Sequence, residues 1–402
     1  MSGTVPELSL QGWESLLGTS GNSPQITIAG INLFIQKISG YGYRTDDLRI
    51  TARNRNDVLL TQLSSKAING EVKWQPQGNG KLTARMKNIS LEKNEADKNE
   101  EAENENFKSI NSTGQPEISP RTARAGFPAL DLAADSITLK GQHLGKLELQ
   151  GEQQGSAWQL KNLMLTNPDG VLKANGKWQM GADVEQTQLK LKLEISNAGN
   201  VLARSGYPNT VKRGSGKLDG TFSWQGGPSE FSYANLDGTL KLDTGRGQFL
   251  KIDPGAGKLL SILSLQSLPQ HIRLDFADVF SKGFSFDSIA GTAQINKGVL
   301  SSNDFNIYGS SAKVSLSGQV DLDQETQNLS VIILPTVGNS VSLLSAFAAG
   351  PAVGLSVFIA SKLLSNPLDK LVAFEYNVTG SWSDPKVKKV GDNKPPSSHE
   401  NK

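Results

Sequence analysis

Residues that could support catalysis are few and scattered in this chain of 402 residues. The sequence has no cysteine, which excludes thiol catalysis, disulfides and cysteine-bound metal. Its three histidines, His143, His271 and His399, are far apart in sequence. Asp275 follows His271 by four residues on a predicted strand, where both belong to the polar set of an alternating pattern. We therefore interpret them as surface residues and predict no metal site.

Two other motifs resemble reactive sites only superficially. Asp46 and Asp47 are adjacent, so in an extended segment their carboxylates point in opposite directions and cannot act as an acid/base pair. Residues 255–258 read GAGK, but a phosphate-binding loop needs glycine five residues before the Gly-Lys pair and Ser or Thr after it. The sequence has Ile252 and Leu259 at those positions. We expect no nucleotide, no cofactor and no enzyme activity.

The composition is unusual for a compact domain. Lys and Arg number 41 against 39 Asp and Glu, and this near-neutral charge argues against a nucleic-acid partner. Apolar residues make up only 37% of the chain, whereas glycine occurs 41 times. A protein with this composition needs a fold that buries little apolar surface per residue.

Alternating apolar and polar residues indicate that most of the chain is β-structure. The clearest case is the segment 189–195, in which Lys190, Lys192 and Glu194 separate four apolar residues. Such a strand has one apolar and one wet face. The apolar residues of this and two similar segments are our candidates for lining an apolar groove: Leu147, Leu149, Leu189, Leu191, Leu193, Ile195, Val314 and Leu316.

An apolar sheet face must be covered, and the chain has few helical segments to cover it. Either the face is sealed inside a closed sheet or sandwich, or it lines a groove that holds a ligand. We predict an elongated, strongly curved antiparallel sheet that forms an apolar groove, with a few short helices. For each groove candidate the alternative is a place in a closed core.

A loose internal repeat relates residues 31–74 to residues 130–178, and each copy ends in tryptophan, Trp74 or Trp178. Repeated meanders suggest a sheet that grows by adding strands. Dipeptides typical of two-residue turns are frequent and predict antiparallel hairpins. They are Asn69-Gly70, Asn79-Gly80, Asp169-Gly170, Asn175-Gly176, Asp219-Gly220 and Asp237-Gly238.

We divide the chain by composition. An N-terminal groove segment is predicted at 1–91, with one short helix around Leu10 and Trp13, and a second groove segment at 126–338. An acidic insertion rich in Asn separates them and is expected to be disordered. The remaining boundaries place the insertion at 92–125, an apolar helical pair at 339–371, a final strand at 372–384 and a disordered tail at 385–402.

Residues 339–364 are the most apolar stretch of the chain. Its length would suffice to cross a bilayer, but Gly350 and Pro351 interrupt it, which favours two short helices. These helices either cap the sheet or touch a bilayer. The candidates for membrane contact are Leu343, Leu344, Phe347, Leu355, Phe358 and Ile359.

Four segments together resemble the C-terminal region of the YhdP family, an AsmA-like group of Gram-negative envelope proteins. They read SGYPNTVKRGSGKLDGTFSWQGGP (205–228), GQFLKIDPGAGKLLSILSLQSLP (247–269), LDFADVFSKGFSFDSIAGTAQINKGVL (274–300) and FEYNVTGSWSDP (374–385). The resemblance implies a long β-groove across the periplasm, an inner-membrane anchor in full-length relatives, and movement of phospholipid between the two membranes. We find neither that anchor nor a signal peptide in this sequence.

The resemblance leads to one hypothesis and one alternative. The chain is expected to be the membrane-distal part of a phospholipid bridge in the periplasm, with phospholipid, the outer-membrane surface and other envelope proteins as partners. The alternative is a scaffold that assembles outer-membrane proteins through exposed sheet edges. A lipid bridge and a scaffold would differ in the ligand that co-purifies with the protein.

Overall fold

The computed structural model describes residues 2–9, 30–40, 43–93, 127–181, 185–250, 284–335 and 373–390. The described residues form 21 strands of a curved, mainly antiparallel sheet, together with one α-helix and one short 3₁₀ turn. The predicted fold class is confirmed. The chain divides into two compact units, the first made of residues 1–191 and 225–230 and the second of residues 192–224 and 231–402. The first change between units lies inside one strand, between Leu191 and Lys192.

The first unit contains ten strands and the beginning of an eleventh. They are β1 (Ser2–Ser9), β2 (Gly30–Gly40), β3 (Tyr43–Arg55), β4 (Val58–Ser64), β5 (Ile68–Gln75), β6 (Lys81–Lys93), β7 (Ala129–Leu139), β8 (Gln142–Gln154), β9 (Ala157–Asn167), β10 (Gly170–Met180) and β11 (Glu185–Ile195).

The second unit contains the end of β11, a short helix and ten further strands. They are α1 (Ala198–Arg204), β12 (Val211–Arg213), β13 (Gly216–Gln225), β14 (Asp237–Thr244), β15 (Gly247–Phe249), β16 (Phe284–Asn296), β17 (Val299–Gly309), β18 (Ala312–Asp321), β19 (Thr326–Pro335), β20 (Phe374–Ser381) and β21 (Pro385–Lys389).

The internal repeat corresponds to two four-stranded meanders in the first unit. Strands β2 to β5 form one copy and β7 to β10 the other, and within each copy every strand pairs antiparallel with the next. The tryptophan at the end of each copy, Trp74 or Trp178, lies near the end of the fourth strand. The repeat read from the sequence is therefore a structural repeat.

Among the strand pairs whose register the structure describes, two are parallel. Strand β1 pairs with β2 in parallel, and β6 pairs with β7 in parallel, with Lys81 opposite Ala129. Parallel neighbours need a long connection, because the chain must return to the end from which it started. The predicted acidic insertion supplies the connection between β6 and β7. It begins later than expected, since Glu92 and Lys93 still belong to β6.

The predicted two-residue turns are wrong at four of the six dipeptides. The four lie within β5, β10, β13 and β14, and they are Asn69-Gly70, Asn175-Gly176, Asp219-Gly220 and Asp237-Gly238. A Cβ at Gly220 would collide with the ring of Phe222. The hairpin that joins β3 to β4 instead turns at Asn56 and Asp57, both with positive φ. In this sheet many glycines make room for an aromatic ring or a neighbouring backbone.

The predicted disordered tail at 385–402 also needs correction. Its first residues form β21, which pairs antiparallel with β20 and places Val387 opposite Val378. The Lys389 ammonium group lies 4.9 Å from the centre of the Phe374 ring. Strand β20 is therefore not the final strand. The remainder of the predicted tail lies outside the described residues.

Helix α1 was not predicted from the sequence. The side chain of Asn197 caps its first turn by accepting a hydrogen bond from the backbone N–H of Asn200, at 3.2 Å. Ala198 and Leu202 pack against the apolar core of the second unit. The predicted helices around residues 10–17 and at 339–371 lie outside the described residues.

Candidate functional site: an apolar sheet face

Strand β11 has the alternation that the sequence predicts. Its four candidate residues are half-buried, whereas Lys190, Lys192 and Glu194 between them are exposed. None of the four reaches the burial of a core residue. They are Leu189, Leu191, Leu193 and Ile195. The apolar side of β11 thus remains partly accessible.

Leu147 and Leu149 lie on a continuous apolar face of the first unit. Residues directly opposite on neighbouring strands share a face of the sheet. Leu147 pairs with Ala134 on β7 and with Leu165 on β9. The same row continues through Met86 on β6 and Leu172 on β10.

A second row of opposite residues runs parallel to the first. Leu149 pairs with Leu132 and Leu163, and through them with Ala84 on β6 and Ala174 on β10. The two rows extend the apolar face across at least five neighbouring strands. No single residue defines it, so this surface offers nonspecific apolar contact over a long distance.

Most large side chains on this face are only partly buried. Ala84, Met86 and Ala134 form its small buried centre, and larger residues pack around them. These larger residues are Leu63, Ile68, Val72, Leu82, Ile89, Leu132, Ile137 and Leu147, all half-buried. A row of half-buried leucines and isoleucines is the surface expected where a groove accepts an apolar ligand.

The opposite face of these strands carries ion pairs. The Lys146 ammonium group lies 2.8 Å from the Glu148 carboxylate. The hydrogen bond to Glu148 raises the pKa of Lys146. Lys161 lies 2.7 Å from Glu152, and its hydrogen bond lowers the pKa of that carboxyl group. These charged residues face water, so the two faces of the sheet differ sharply in polarity.

Strands β6 and β7 are also joined by a charged contact. The Arg85 guanidinium lies 3.0 Å from the Asp131 carboxylate and donates a second hydrogen bond to the Asp131 carbonyl oxygen at 2.9 Å. The hydrogen bond from Arg85 holds the pKa of Asp131 below its ordinary value of 3.8, although partial burial opposes the shift. This contact stabilises the parallel pairing of β6 with β7, through which the two meanders are joined.

Val314 and Leu316 have a different environment from the other groove candidates. Both belong to the closed core of the second unit, in which Val314 is 0% and Leu316 is 5% exposed. Ile307 and Ile333 pack on either side of Val314 through the strand register. In the described structure these two residues have almost no surface to offer a ligand, which favours the core alternative for them.

The apolar face of the second unit changes from half-buried to buried along one row. Leu218 on β13 faces Leu242 on β14, and both are half-buried. The row then continues through Phe305 to Leu316 and Tyr376, which is fully buried. Along this row, the accessible apolar surface therefore lies on β13 and β14.

Aromatic residues mark one end of the apolar face in the first unit, a feature that the sequence analysis missed. Phe127 is 40% exposed and packs edge-on against Trp158 and Trp178, at 5.7 Å between ring centres in each case. The Trp158 indole N–H donates to the Pro128 carbonyl at 2.9 Å, and that of Trp178 donates to Glu185 at 3.0 Å. The repeat-ending tryptophans were a signal for it.

The remaining sequence candidates that the structure describes do not build a second site. Asp46 lies on β3 and forms an exposed ion pair with Arg44 at 3.0 Å. His271, Asp275 and the GAGK segment lie outside the described residues. In the ranges that the structure describes, no group of three potential metal ligands occurs.

The six membrane-contact candidates also lie outside the described residues. They are Leu343, Leu344, Phe347, Leu355, Phe358 and Ile359. Within the described part of the chain, no helix is long and apolar enough to span a membrane.

Comparison with known proteins identifies a family. The model of the YhdP protein family matches residues 1–387. The intermembrane phospholipid transporter YhdP of Escherichia coli (strain K12) is 30% identical over 266 residues, which cover 66% of this chain and 21% of that protein. The chain thus aligns with about a fifth of its relative. No solved structure matches it.

Proposed function

Since the chain belongs to the YhdP family, we propose that it forms the membrane-distal part of a bridge that moves phospholipids between the inner and outer membranes. The observation that carries the proposal is the continuous and largely half-buried apolar face of β6–β10, together with the half-buried apolar side of β11. The related E. coli protein is named as an intermembrane phospholipid transporter, which supports phospholipid as the ligand.

Acyl chains suit this surface for a physical reason. They are long and flexible, and they gain free energy from any apolar contact that removes them from water. A face built from many interchangeable leucines and isoleucines holds such chains without fixing them at one position, so a lipid can move along it. The groove-lining residues in this proposal are Leu147, Leu149, Leu189, Leu191, Leu193 and Ile195.

The proposed activity involves no chemistry on the lipid. Transfer along a groove requires apolar contact and an opening for the polar head group, but no nucleophile or acid/base pair. We accordingly assign the chain no enzyme activity. We place it in the periplasm, with the outer-membrane surface as its partner through the apolar segment 339–364.

Native mass spectrometry of the purified chain tests the proposal. We expect phospholipid to co-purify in the complex, and a protein exposed to liposomes to gain further lipid mass. A captured polypeptide in place of lipid would instead favour the scaffold alternative. A ligand-free protein that gains no lipid from liposomes would contradict the bridge.

A further inference from the structure

Within each unit taken by itself, the described tryptophans are concentrated at one end of the strands. Five of the six tryptophans in the sequence are described, and Trp13 lies outside the described residues. In the first unit, the strand register places Trp74 opposite Leu82 and Trp158 opposite Trp178. The Trp158–Trp178 pair lies one row nearer the ends of its strands than the row of Trp74. All three tryptophans lie on the apolar face.

The second unit has the same arrangement, considered by itself. Trp224 follows Phe222 by two residues on β13 and therefore lies on the same face. Trp382 follows Val378 and Gly380 with the same spacing, and it packs against the apolar core. Both tryptophans lie where β13 and β20 end.

In each unit an exposed phenylalanine from outside the strands packs against part of the tryptophan group. In the first unit Phe127 packs against Trp158 and Trp178. In the second unit Phe231 is 47% exposed and packs edge-on against Trp224 at 5.5 Å and against Tyr233 at 5.2 Å. We call Trp74, Trp158, Trp178 and Phe127 in the first unit, and Trp224, Phe231, Tyr233 and Trp382 in the second, the aromatic border.

The sheet is built to accommodate these rings. A Cβ at Gly151 would collide with the ring of Trp158, and a Cβ at Gly80 would collide with that of Trp74. The Trp158 ring therefore occupies space over Gly151 of β8, and the Trp74 ring occupies space beside Gly80 in the turn between β5 and β6. At the other strand ends of the first unit, the apolar face carries Ile68, Ile89 and Ile137, with no tryptophan among the described residues.

Tryptophan and tyrosine prefer the boundary between apolar and wet surroundings, because their rings are apolar and their N–H or O–H groups need polar partners. In bilayers these side chains collect at the level of the lipid head groups. A border of such residues along one side of an apolar face therefore marks the side at which a bound lipid becomes polar.

The length of the apolar face agrees with this orientation. Trp74 and Ile68 lie near opposite ends of β5, about 20 Å apart at the rise of a strand. One leaflet of a bilayer has a hydrocarbon depth of about 15 Å, half of the core thickness. An acyl chain that runs along the strands would thus fit between the aromatic border and the isoleucine end.

We infer that phospholipids lie across the groove with their glycerol and head group at the aromatic border and their acyl chains directed toward Ile68, Ile89 and Ile137. This orientation rests on the proposed function, and it assigns the border a role in aligning lipid. Every lipid bound along the first unit would then present its head group to water at the aromatic border of that unit.

Fluorescence quenching by brominated lipids tests the orientation, because bromine quenches tryptophan only at short range. The full-length chain with Trp13→Phe would be loaded with phosphatidylethanolamine that carries bromine near either the ester end or the methyl end of its acyl chains. We expect a greater loss of tryptophan emission with bromine near the ester end. Equal losses, or a greater loss with bromine near the methyl end, would overturn the orientation.

A second variant adds a tryptophan nearer the isoleucine end, so that the orientation is also tested away from the native tryptophans. Leu165→Trp adds an indole on the same face, one row away from the isoleucine end. The emission that it adds should be quenched more strongly by bromine near the methyl end. If the added and native emission show the same order of quenching, the orientation is wrong.

Lipid binding is measured separately by native mass spectrometry of the same samples. Bound lipid with the wrong order of quenching would overturn the orientation and leave the proposed function standing. Absence of bound lipid would overturn the proposed function, and the orientation with it.

Discussion

At the scale of single residues, glycine and tryptophan act as a pair in this sheet. Gly151 lies on β8 opposite Leu160, and the ring of Trp158 on β9 occupies the space that a side chain at Gly151 would need. The Trp158 indole N–H is satisfied by the Pro128 carbonyl, so the ring is held at both its apolar and its polar end. The contact thus links the residues just before β7 with strands β8 and β9.

Gly151→Ala should therefore destabilise the first unit. The added Cβ forces the Trp158 ring or the strand to shift, and overpacking of this kind costs about 1–3 kcal/mol. Gly3→Ala is the matched control, because a Cβ at Gly3 meets no atom within 4 Å. Chemical denaturation of both variants measures the difference, and equal free energies of unfolding would contradict the proposed packing.

The Arg85–Asp131 contact predicts a dependence of stability on pH. The pKa of Asp131 is lower in the folded protein than in the unfolded chain, so the contact stabilises the fold above the unfolded pKa. That contribution is lost as the pH falls through the lowered folded pKa. Because both side chains are partly exposed, we expect Asp131→Asn to cost less than about 1 kcal/mol at neutral pH.

Denaturation curves of Asp131→Asn and the unmodified chain across acidic pH test this expectation. The two curves should converge once Asp131 is protonated. Glu71→Gln removes an exposed carboxylate from β5 and serves as the control, with little change at any pH. A stability difference that persists at low pH would show that the carboxylate charge is not the cause.

At the scale of elements, the same alternating pattern leads to two different environments. Strand β11 alternates half-buried and exposed residues, whereas β18 is buried on both faces over Val314–Ser317. Ser315 is 4% exposed on one face, and Val314 is 0% exposed on the other. A half-buried strand and a core strand therefore differ in what lies above them, although their periodicity is similar.

Charged substitutions should separate these two environments. Leu191→Arg places a guanidinium at a half-buried position from which it can reach water, so the chain should fold but hold less lipid. Val314→Arg buries an unpaired charge and should abolish the cooperative thermal transition. Lipid retention by native mass spectrometry and thermal melting together measure both effects.

Lys192→Ala is the control for Leu191→Arg, since it changes the adjacent exposed residue on the opposite face of β11. We expect it to leave the amount of bound lipid unchanged. Full lipid retention by Leu191→Arg would contradict the role of this strand in the groove, and loss of folding would place Leu191 in a closed core.

The sequence predicts these elements unequally for physical reasons. The alternation at 189–195 and the repeat at 31–74 and 130–178 are local patterns, and the structure confirms both. The burial of Val314 depends on strands that follow it along the chain, so periodicity alone could not reveal it. The glycines within strands were misread because the rings above them belong to other positions in the sequence.

At the scale of the whole molecule, the low content of apolar residues is reflected in where they are accessible and where they are buried. Accessible apolar surface is found on the first unit, on β11 and on β13–β14, while the densest core lies in the second unit. The low content of apolar residues is compatible with this design because one face of the sheet does not need to be fully buried.

The apolar segment 339–364 gives a prediction for the full chain. If it engages a bilayer, the chain should float with liposomes, and a variant without residues 339–364 should float less. Circular dichroism of the shortened chain serves as the control for retained β-structure. Equal flotation of the two proteins would count against a membrane contact through this segment.

The parallel pair β6–β7 has a consequence for how the chain folds. Each four-stranded meander pairs neighbours that are close in sequence, so each can form early through short loop closures. Lys81 and its partner Ala129 are far apart in sequence, and their contact requires the closure of a long loop. Joining the two meanders is therefore expected to be the slow step in the assembly of the first unit, and its continuous apolar face is complete only after that step.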